Sequence, residues 1–180
     1  MFILLTGKEH VGKTTACWKA LPALRTRGLR IAGFVSPPLL SETGAKVGIQ
    51  MVNLTTGESQ TLARVAPAGE PATVGQYRMA AEAIEWARRV LAAALLANAD
   101  WIVVDEIGPW ELRQGGGFAF ALEQLGDPVR VPNAIVIVRE SLADELAERM
   151  GRTDVVRLLV TPANRSKIPV QLLRLICAAP

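Results

Sequence analysis

Residues 7–14 have the spacing of a loop that binds phosphate. They read Gly-Lys-Glu-His-Val-Gly-Lys-Thr and match the pattern G-x-x-x-x-G-K-[ST], directly after a short apolar run. Gly7 and Gly12 let successive backbone N–H groups converge on phosphate oxygens at the start of a helix. The Lys13 ammonium can then reach the β- and γ-phosphates, and the Thr14 hydroxyl can ligate Mg²⁺. The pattern therefore predicts that the chain binds a nucleoside triphosphate.

A second group of polar side chains follows the apolar run Trp101-Ile102-Val103-Val104. Asp105 ends this predicted strand, and a carboxylate at that point can hold Mg²⁺, usually through water, against Thr14. Glu106 comes next and can orient or deprotonate the water that attacks the γ-phosphate. Ligands bind at the carboxyl ends of the strands in open α/β sheets, which is where this pair would emerge. The alternative is a strand that simply ends at a solvated acidic pair.

Phosphoryl transfer also benefits from a positive group near the γ-phosphate. Arg113 lies just past the acidic pair and completes a predicted catalytic set with Lys13 and Glu106. A solvated surface arginine is the alternative at this position. Lys46 and Lys8 are the further candidate cations.

The predicted nucleotide site also includes residues far along the chain. Asn164 and Arg165 follow the last predicted strand, so the amide could bond a base edge and the guanidinium could stack on the base. A polar pair at the start of a C-terminal turn is the alternative. His10 is interpreted as a solvated spacer, because the chain has a single histidine and cannot pair it with another in a metal site. The predicted nucleotide-binding residues are Gly7, Lys8, Glu9, His10, Val11, Gly12, Lys13, Thr14, Thr15, Asn164 and Arg165.

Length and composition favour one enzyme domain over residues 1–180. A hydrophobic content of 50% argues against a disordered chain. The net charge is only +3 and basic residues are interleaved with acidic ones, so we expect neither a nucleic-acid nor a membrane partner. No leader peptide is visible, the longest apolar stretch is far shorter than a membrane span, and Cys17 and Cys177 are interpreted as reduced thiols. The expected location is the cytoplasm, and a protein partner is left open.

Apolar runs and helical patterns alternate along the chain. This alternation predicts an α/β fold with a mainly parallel central sheet and helices on both faces. Between residues 37 and 77 the helical pattern is absent, and two strand-like segments around Thr55-Thr56-Gly57-Glu58 predict an added antiparallel hairpin. The predicted strands cover residues 2–6, 30–35, 101–105, 134–138 and 155–160, with hairpin strands at 45–54 and 59–65. The predicted helices cover residues 13–27, 79–98, 118–124 and 141–149.

The segment that contains the acidic pair resembles a known family. Residues 105–112 read Asp-Glu-Ile-Gly-Pro-Trp-Glu-Leu. They are similar to the D-E-I-G-x-M-E-L signature of the small P-loop nucleoside-triphosphatase family first described from hyperthermophiles, which includes the cancer-related nucleoside-triphosphatase. Further segments resemble that family in the same order, namely Gly33-Phe34, residues 44–49, residues 74–77 and Asn164-Arg165. The resemblance implies a RecA-like P-loop fold and Mg²⁺-dependent hydrolysis of NTPs to NDPs and phosphate, with broad base tolerance.

The chain departs from the family pattern at several positions. Lys46 stands where the family has arginine, which keeps the charge but loses the bidentate fork. Trp110 stands where the family usually has methionine. Gly115-Gly116-Gly117 replaces a more polar stretch and predicts a loose helix entry, with a mobile lid as the alternative. Two other functions stay open: a nucleotide-gated accessory protein for metal-cofactor handling or transport, and a small-molecule kinase, for which we find no arginine-rich lid.

Overall fold

Strands and helices alternate along the chain in the computed structural model, which describes residues 1–178. The strands are β1 (Phe2–Thr6), β2 (Ile31–Val35), β3 (Pro38–Leu40), β4 (Lys46–Asn53), β5 (Ser59–Val65), β6 (Tyr77–Met79), β7 (Trp101–Ile107), β8 (Ala134–Val138) and β9 (Val155–Leu159). The helices are α1 (Lys13–Arg25), α2 (Ala81–Leu96), α3 (Pro109–Gln114), α4 (Phe120–Gly126), α5 (Ala143–Met150) and α6 (Ile168–Ala178). A short 3-10 turn, Glu140–Leu142, precedes α5.

The strands join one sheet whose centre is parallel. The order is β6-β5-β4-β2-β7-β8-β1-β9, and every neighbouring pair from β2 to β9 is parallel. Strands β1 and β8 are buried at every position, as expected for strands that are covered on both faces. Strand β8 separates β1, which leads into the phosphate loop, from β7, which carries the acidic pair. The two motifs therefore emerge at the same carboxyl edge of the sheet, one on each side of β8.

Helices cover both faces of this sheet. Alternate side chains of β1, among them Phe2 and Leu4, pack with α2, α4 and α5 in one apolar cluster. The intervening side chains Ile3 and Leu5 pack with α1 and α6 in a second cluster. The period of two along each strand divides the core between the two faces. The α/β fold with a mainly parallel sheet and helices on both faces is confirmed.

An antiparallel extension continues the sheet beyond β2. Strands β4 and β5 form the predicted hairpin, and β4 pairs antiparallel with β2. The short strands β3 and β6 add to β4 and β5, respectively, and were not predicted. Each has three residues, which is too short for an alternating pattern to be recognised.

Helices α3 and α6 were also not predicted, because each contains a proline near its start. Helix α3 has Pro109 at its first position, and α6 has Pro169 in its first turn. Proline disfavours a helix interior but is tolerated in the first turn, where the backbone N–H has no helical partner. No helix within residues 1–178 is long and apolar enough to cross a membrane.

The buried Arg152 connects several segments at the amino end of the sheet. Its side chain is 1% exposed, and Nε and Nη2 donate to the two carboxylate oxygens of Asp154 at 2.8 and 2.6 Å. The remaining N–H groups donate to three backbone carbonyl oxygens, those of Leu125, Val131 and Pro132. All five guanidinium donors are thereby used, so Arg152 holds the end of α4, the segment before β8 and the segment before β9 together.

Candidate active site

The phosphate loop connects β1 to α1, and its shape depends on two glycines. At Gly7, φ is 149°, and a Cβ atom there would lie 2.5 Å from the carbonyl oxygen of Val160. A larger residue does not fit. Gly12 has φ of 101° and directly precedes Lys13, the first residue of α1. The loop therefore leads its N–H groups to the positive end of a helix, where phosphate binds well.

Lys13 lies inside this loop and is 7% exposed. Its Nζ donates to the carbonyl oxygens of Gly7 at 3.0 Å and Lys8 at 2.9 Å. Burial lowers the pKa of Lys13, and the nearby carboxylates of Glu106 and Asp105 act in the opposite direction. The ammonium is thus close to both predicted motifs, and phosphate oxygens could replace its carbonyl contacts.

Asp105 is 1% exposed at the end of β7. Its Oδ2 accepts a hydrogen bond from the Ser36 backbone N–H at 2.9 Å, and the Ser36 hydroxyl donates to the Asp105 carbonyl. Burial raises the pKa of Asp105 to about 7, against the effects of the Ser36 N–H, the Thr14 hydroxyl and Lys13. Asp105 and Thr14 together offer oxygen donors of the kind that Mg²⁺ prefers, so these two residues could hold the ion.

Glu106 contacts an arginine that the sequence analysis did not select. Its carboxylate is 40% exposed, and Oε1 accepts a hydrogen bond from Arg139 Nε at 3.2 Å. Arg139 also forms an ion pair with Glu9 in the phosphate loop. The guanidinium therefore bridges the loop and the acidic pair. A signal was present, because Arg139 directly follows the apolar run of β8 in the way that Asp105 follows the run Trp101–Val104.

Arg113, by contrast, is bound to a carboxylate on another helix. Its Nη2 lies 2.7 Å from Glu145 Oε2, and its Nε also donates to the same carboxylate. The side chain is 58% exposed on α3. Its role in catalysis stays a prediction, and Arg139 rather than Arg113 is the arginine in contact with Glu106.

The other candidate cations have different surroundings. Lys46 Nζ lies 5.1 Å from the centre of the Tyr77 ring, a cation–π contact that joins β4 to β6. Lys8 is exposed at the tip of the loop together with Glu9 and His10. Within the same predicted set, Val11 is buried in the core and Thr15 is exposed in the first turn of α1.

Asn164 and Arg165 lie in the turn between β9 and α6. The Asn164 amide is occupied within this turn, since Oδ1 accepts from the Thr161 N–H at 2.7 Å and Nδ2 donates to the Leu159 carbonyl at 2.8 Å. The Arg165 side chain approaches the phosphate loop, with its Cδ 3.9 Å from the position of a Cβ on Gly12. The structure thus brings Arg165 to the loop, while the contact of either residue with a base stays a prediction.

The glycine run 115–117 forms a closely packed turn and not a loose helix entry. A Cβ on Gly116 would lie 2.1 Å from Trp110 Nε1, and a Cβ on Gly117 would lie 1.9 Å from Glu111 Oε1. Glu111 is 6% exposed, and its carboxylate accepts hydrogen bonds from the N–H groups of Gly108 at 2.9 Å and Phe118 at 3.2 Å. Gly116 and Gly117 therefore leave space for the Trp110 and Glu111 side chains, whereas no atom lies within 4 Å of a Cβ on Gly115. The Glu111 carboxylate holds both ends of the segment 108–118 through its hydrogen bonds.

We expect Gly117→Ala to destabilise the chain more than Gly75→Ala. The two glycines have similar φ values, 51° and 56°, but Gly117 faces Glu111 whereas no atom lies within 4 Å of a Cβ on Gly75. Both variants lose a favourable left-handed residue, and only Gly117→Ala adds a steric clash of about 1–3 kcal/mol. The denaturant midpoints of the two variants measure the difference in stability. Equal loss of stability in both would show that the turn around Gly117 can relax to accommodate a Cβ atom.

Comparison with known proteins finds relatives along nearly the whole chain. The family model described as NTPase matches residues 2–173. A relative from Methanopyrus kandleri, named Nucleoside-triphosphatase THEP1, is 32% identical over 172 residues, which cover 95% of this chain and 92% of the relative. A protein of the same name from Thermofilum pendens is 34% identical over 171 residues, again covering 95% and 92% of the two chains.

A solved structure has a similar fold. The crystal structure of THEP1 from the hyperthermophile Aquifex aeolicus superposes with a TM-score of 0.72 and covers 98% of this chain and 99% of that one, at 24% identity. At that identity the likeness concerns the fold alone. The family match over most of the chain and the relatives above 30% identity carry the assignment. The chain therefore belongs to the NTPase family, and relatives that match nearly its whole length are named nucleoside-triphosphatases.

Proposed function

We propose that the chain is a Mg²⁺-dependent nucleoside-triphosphatase that hydrolyses NTPs to NDPs and phosphate with broad base tolerance. The observation that carries the proposal is the position of Glu106. Its half-exposed carboxylate lies beside the buried Asp105, and one strand separates it from the strand that leads to Lys13. Membership of the NTPase family supports the same reaction.

In the proposed reaction, the loop amides and Lys13 bind the β- and γ-phosphates. A water oxygen attacks the γ-phosphorus opposite the bridging oxygen, and the Glu106 carboxylate accepts a proton from that water. The bond between the γ-phosphorus and the bridging oxygen breaks, and the electron pair leaves with the NDP. Glu106 would therefore act as the general base.

Asp105 and Thr14 are the proposed residues for Mg²⁺. Proteins bind this ion with one or two carboxylates, while substrate phosphates and waters fill the other positions. A carboxylate next to a hydroxyl, both close to the phosphate loop, fits that donor set. When bound, the ion would neutralise charge on the β- and γ-phosphate oxygens and favour ionised Asp105 despite its burial.

The contacts of Asn164 and Arg165, in the turn after β9, support binding of NTPs with different bases. The Asn164 Oδ1 and Nδ2 atoms already form hydrogen bonds with the backbone of Thr161 and Leu159. Few donors and acceptors of this amide are therefore left to recognise the edge of a base. Arg165 lies beside the loop, and a guanidinium can stack on the face of any base. We propose that stacking on Arg165 holds the base without selecting it.

The testing experiment is steady-state phosphate release from ATP, GTP, CTP and UTP, with and without Mg²⁺. We expect turnover of several NTPs that requires Mg²⁺. Lys13→Ala should lower kcat/KM by about 10²–10³-fold, because a buried cation on the phosphates is lost. Lys19→Ala, which alters an exposed lysine of the same helix, is the matched control and should behave like the native chain.

The assay contains no phosphate acceptor, so it separates hydrolysis from kinase activity. A native chain that binds nucleotide through Lys13 but releases no phosphate would contradict the proposal. A search for an acceptor, or for a protein partner that distinguishes NTP from NDP, would then follow.

A further inference from the structure

Arg139 occupies a fixed place between the two motifs of the site. It is the first residue after β8, the strand that lies between β1 and β7. The next backbone N–H, that of Glu140, donates to the carbonyl oxygen of Gly7 at 3.2 Å. Lys13 Nζ donates to the same oxygen at 3.0 Å. The backbone that carries Arg139 is therefore tied to the phosphate loop beside Lys13.

The guanidinium reaches both sides of the site. It contacts Glu9 in the loop through Nη1 and Glu106 at the end of β7 through Nε. Its charge also acts on Lys13, together with the charges of Glu106, Asp105 and Glu9. With a side chain 37% exposed, Arg139 is buried enough to be positioned and exposed enough to meet a ligand.

Two of the other candidate cations have partners away from the two motifs. Arg113 pairs with Glu145 on α5, and Lys46 lies over the Tyr77 ring. Within residues 1–178, Arg139 forms ion pairs both with Glu9 of the phosphate loop and with Glu106, the proposed general base. It is therefore the arginine best placed to meet the terminal phosphate.

We propose that Arg139 is a catalytic residue whose guanidinium contacts the γ-phosphate of bound NTP and stabilises the charge on its equatorial oxygens in the transition state. This inference rests on the proposed function. The incoming triphosphate competes with Glu9 for the guanidinium, and Arg139 exchanges its Glu9 contact for a γ-phosphate oxygen. Five donors in a fixed fork allow Nε to keep its bond to Glu106 meanwhile. The Arg139 side chain then contacts both the proposed general base, Glu106, and the γ-phosphate.

Two measurable properties follow from this contact. Removal of an arginine that acts on the transferred phosphate lowers kcat strongly, by about 10²-fold or more. Because NDP lacks the γ-phosphate, the contact also favours binding of a triphosphate over a diphosphate. A charge-assisted hydrogen bond is sufficient for a preference of roughly 10-fold.

The test compares the native chain with Arg139→Ala and Arg139→Lys in phosphate release and in binding of a non-hydrolysable triphosphate and a diphosphate. We expect kcat to fall about 10²-fold or more in Arg139→Ala, with partial recovery in Arg139→Lys and on addition of guanidinium ion. The triphosphate-over-diphosphate preference should shrink about 10-fold. Arg157→Ala is the matched control, since that exposed arginine pairs with Asp144 on α5.

Arg139→Ala with a kcat within about twofold of Arg157→Ala and an unchanged triphosphate preference would overturn the inference. Thermal melting establishes that each variant is folded, and Arg139→Gln replaces Arg139→Ala if the latter does not fold. Absence of phosphate release by the native chain would instead contradict the proposed function. The binding preference would still decide whether Arg139 contacts the γ-phosphate.

Discussion

Glu106→Gln is expected to lower kcat for phosphate release by about 10²–10⁴-fold while nucleotide binding is retained. Glutamine has nearly the same shape as glutamate, but its amide does not accept a proton from water at neutral pH. Lys13 and Asp105 stay in place, so the phosphates and Mg²⁺ should bind as before. The loss should therefore appear in kcat and not in the dissociation constant for NTP.

Steady-state phosphate release at saturating NTP measures kcat, and isothermal titration with a non-hydrolysable NTP measures the dissociation constant. Glu123→Gln is the control, because Glu123 is exposed on α4 and takes part in neither motif. If Glu106→Gln turns over at the native rate, another group must accept the proton. Loss of binding together with loss of turnover would show that Glu106 is needed to build the site and not only for the chemical step.

Arg152→Ala is expected to lower the free energy of unfolding by about 3–5 kcal/mol, a large share of the total for a domain. The substitution leaves Asp154 without its main partner and removes donors from three carbonyl oxygens. Arg152→Lys keeps the charge but has three donors in another geometry. It should therefore retain only part of the free energy of unfolding that Arg152→Ala loses. Chemical denaturation with a shared m-value measures the loss.

Arg130→Ala is the matched control for Arg152→Ala, because Arg130 is exposed and donates to Gln124 on α4. We expect it to change stability by less than about 1 kcal/mol. Equal effects of the two substitutions would mean that the buried guanidinium contributes no more than a surface one.

The same contact gives stability a defined pH dependence. Hydrogen bonds from Arg152 hold the pKa of Asp154 well below its ordinary value. A carboxylate with a depressed pKa in the folded state stabilises fully above its unfolded pKa of about 3.9, and the contribution is lost as the pH falls further. The stability difference between the native chain and Asp154→Asn should therefore be constant near neutral pH and shrink below about pH 4.

Much of the fold was predictable because the central strands are long apolar runs between polar turns. The runs that became β1, β7 and β8 are buried on both faces, so their hydrophobicity is continuous and easy to recognise. Helices α3 and α6 were not predicted because each has proline in its first turn. Proline lowers the helix propensity of a segment, although it is tolerated at this position. The strands of three residues carry too little pattern.

The site was predictable where a single segment contains the chemistry. The loop with Lys13 and the strand end with Asp105 and Glu106 each have a local pattern. Arg139 has only a weak local signal, because a polar residue directly after an apolar run is common. Its importance arises from the strand order, in which β8 lies between β7, the preceding strand of the chain, and β1 at the other end of the sequence. Arg113 was selected for its closeness to Glu106 along the chain, whereas in space it pairs with Glu145 on α5.

The interior position of β8 also links the evolution of stability to that of turnover. Two inter-strand spacings, together about 10 Å, separate the strand of the phosphate loop from the strand of the acidic pair. Every side chain of β8 is buried, so a change of volume there alters this separation as well as the packing of the core. A substitution in β8 that changes the distance between the two motifs therefore also changes the stability of the fold. Adaptation of the rate is therefore expected to proceed through the exposed rim of the site, and β8 to vary only within narrow limits of size.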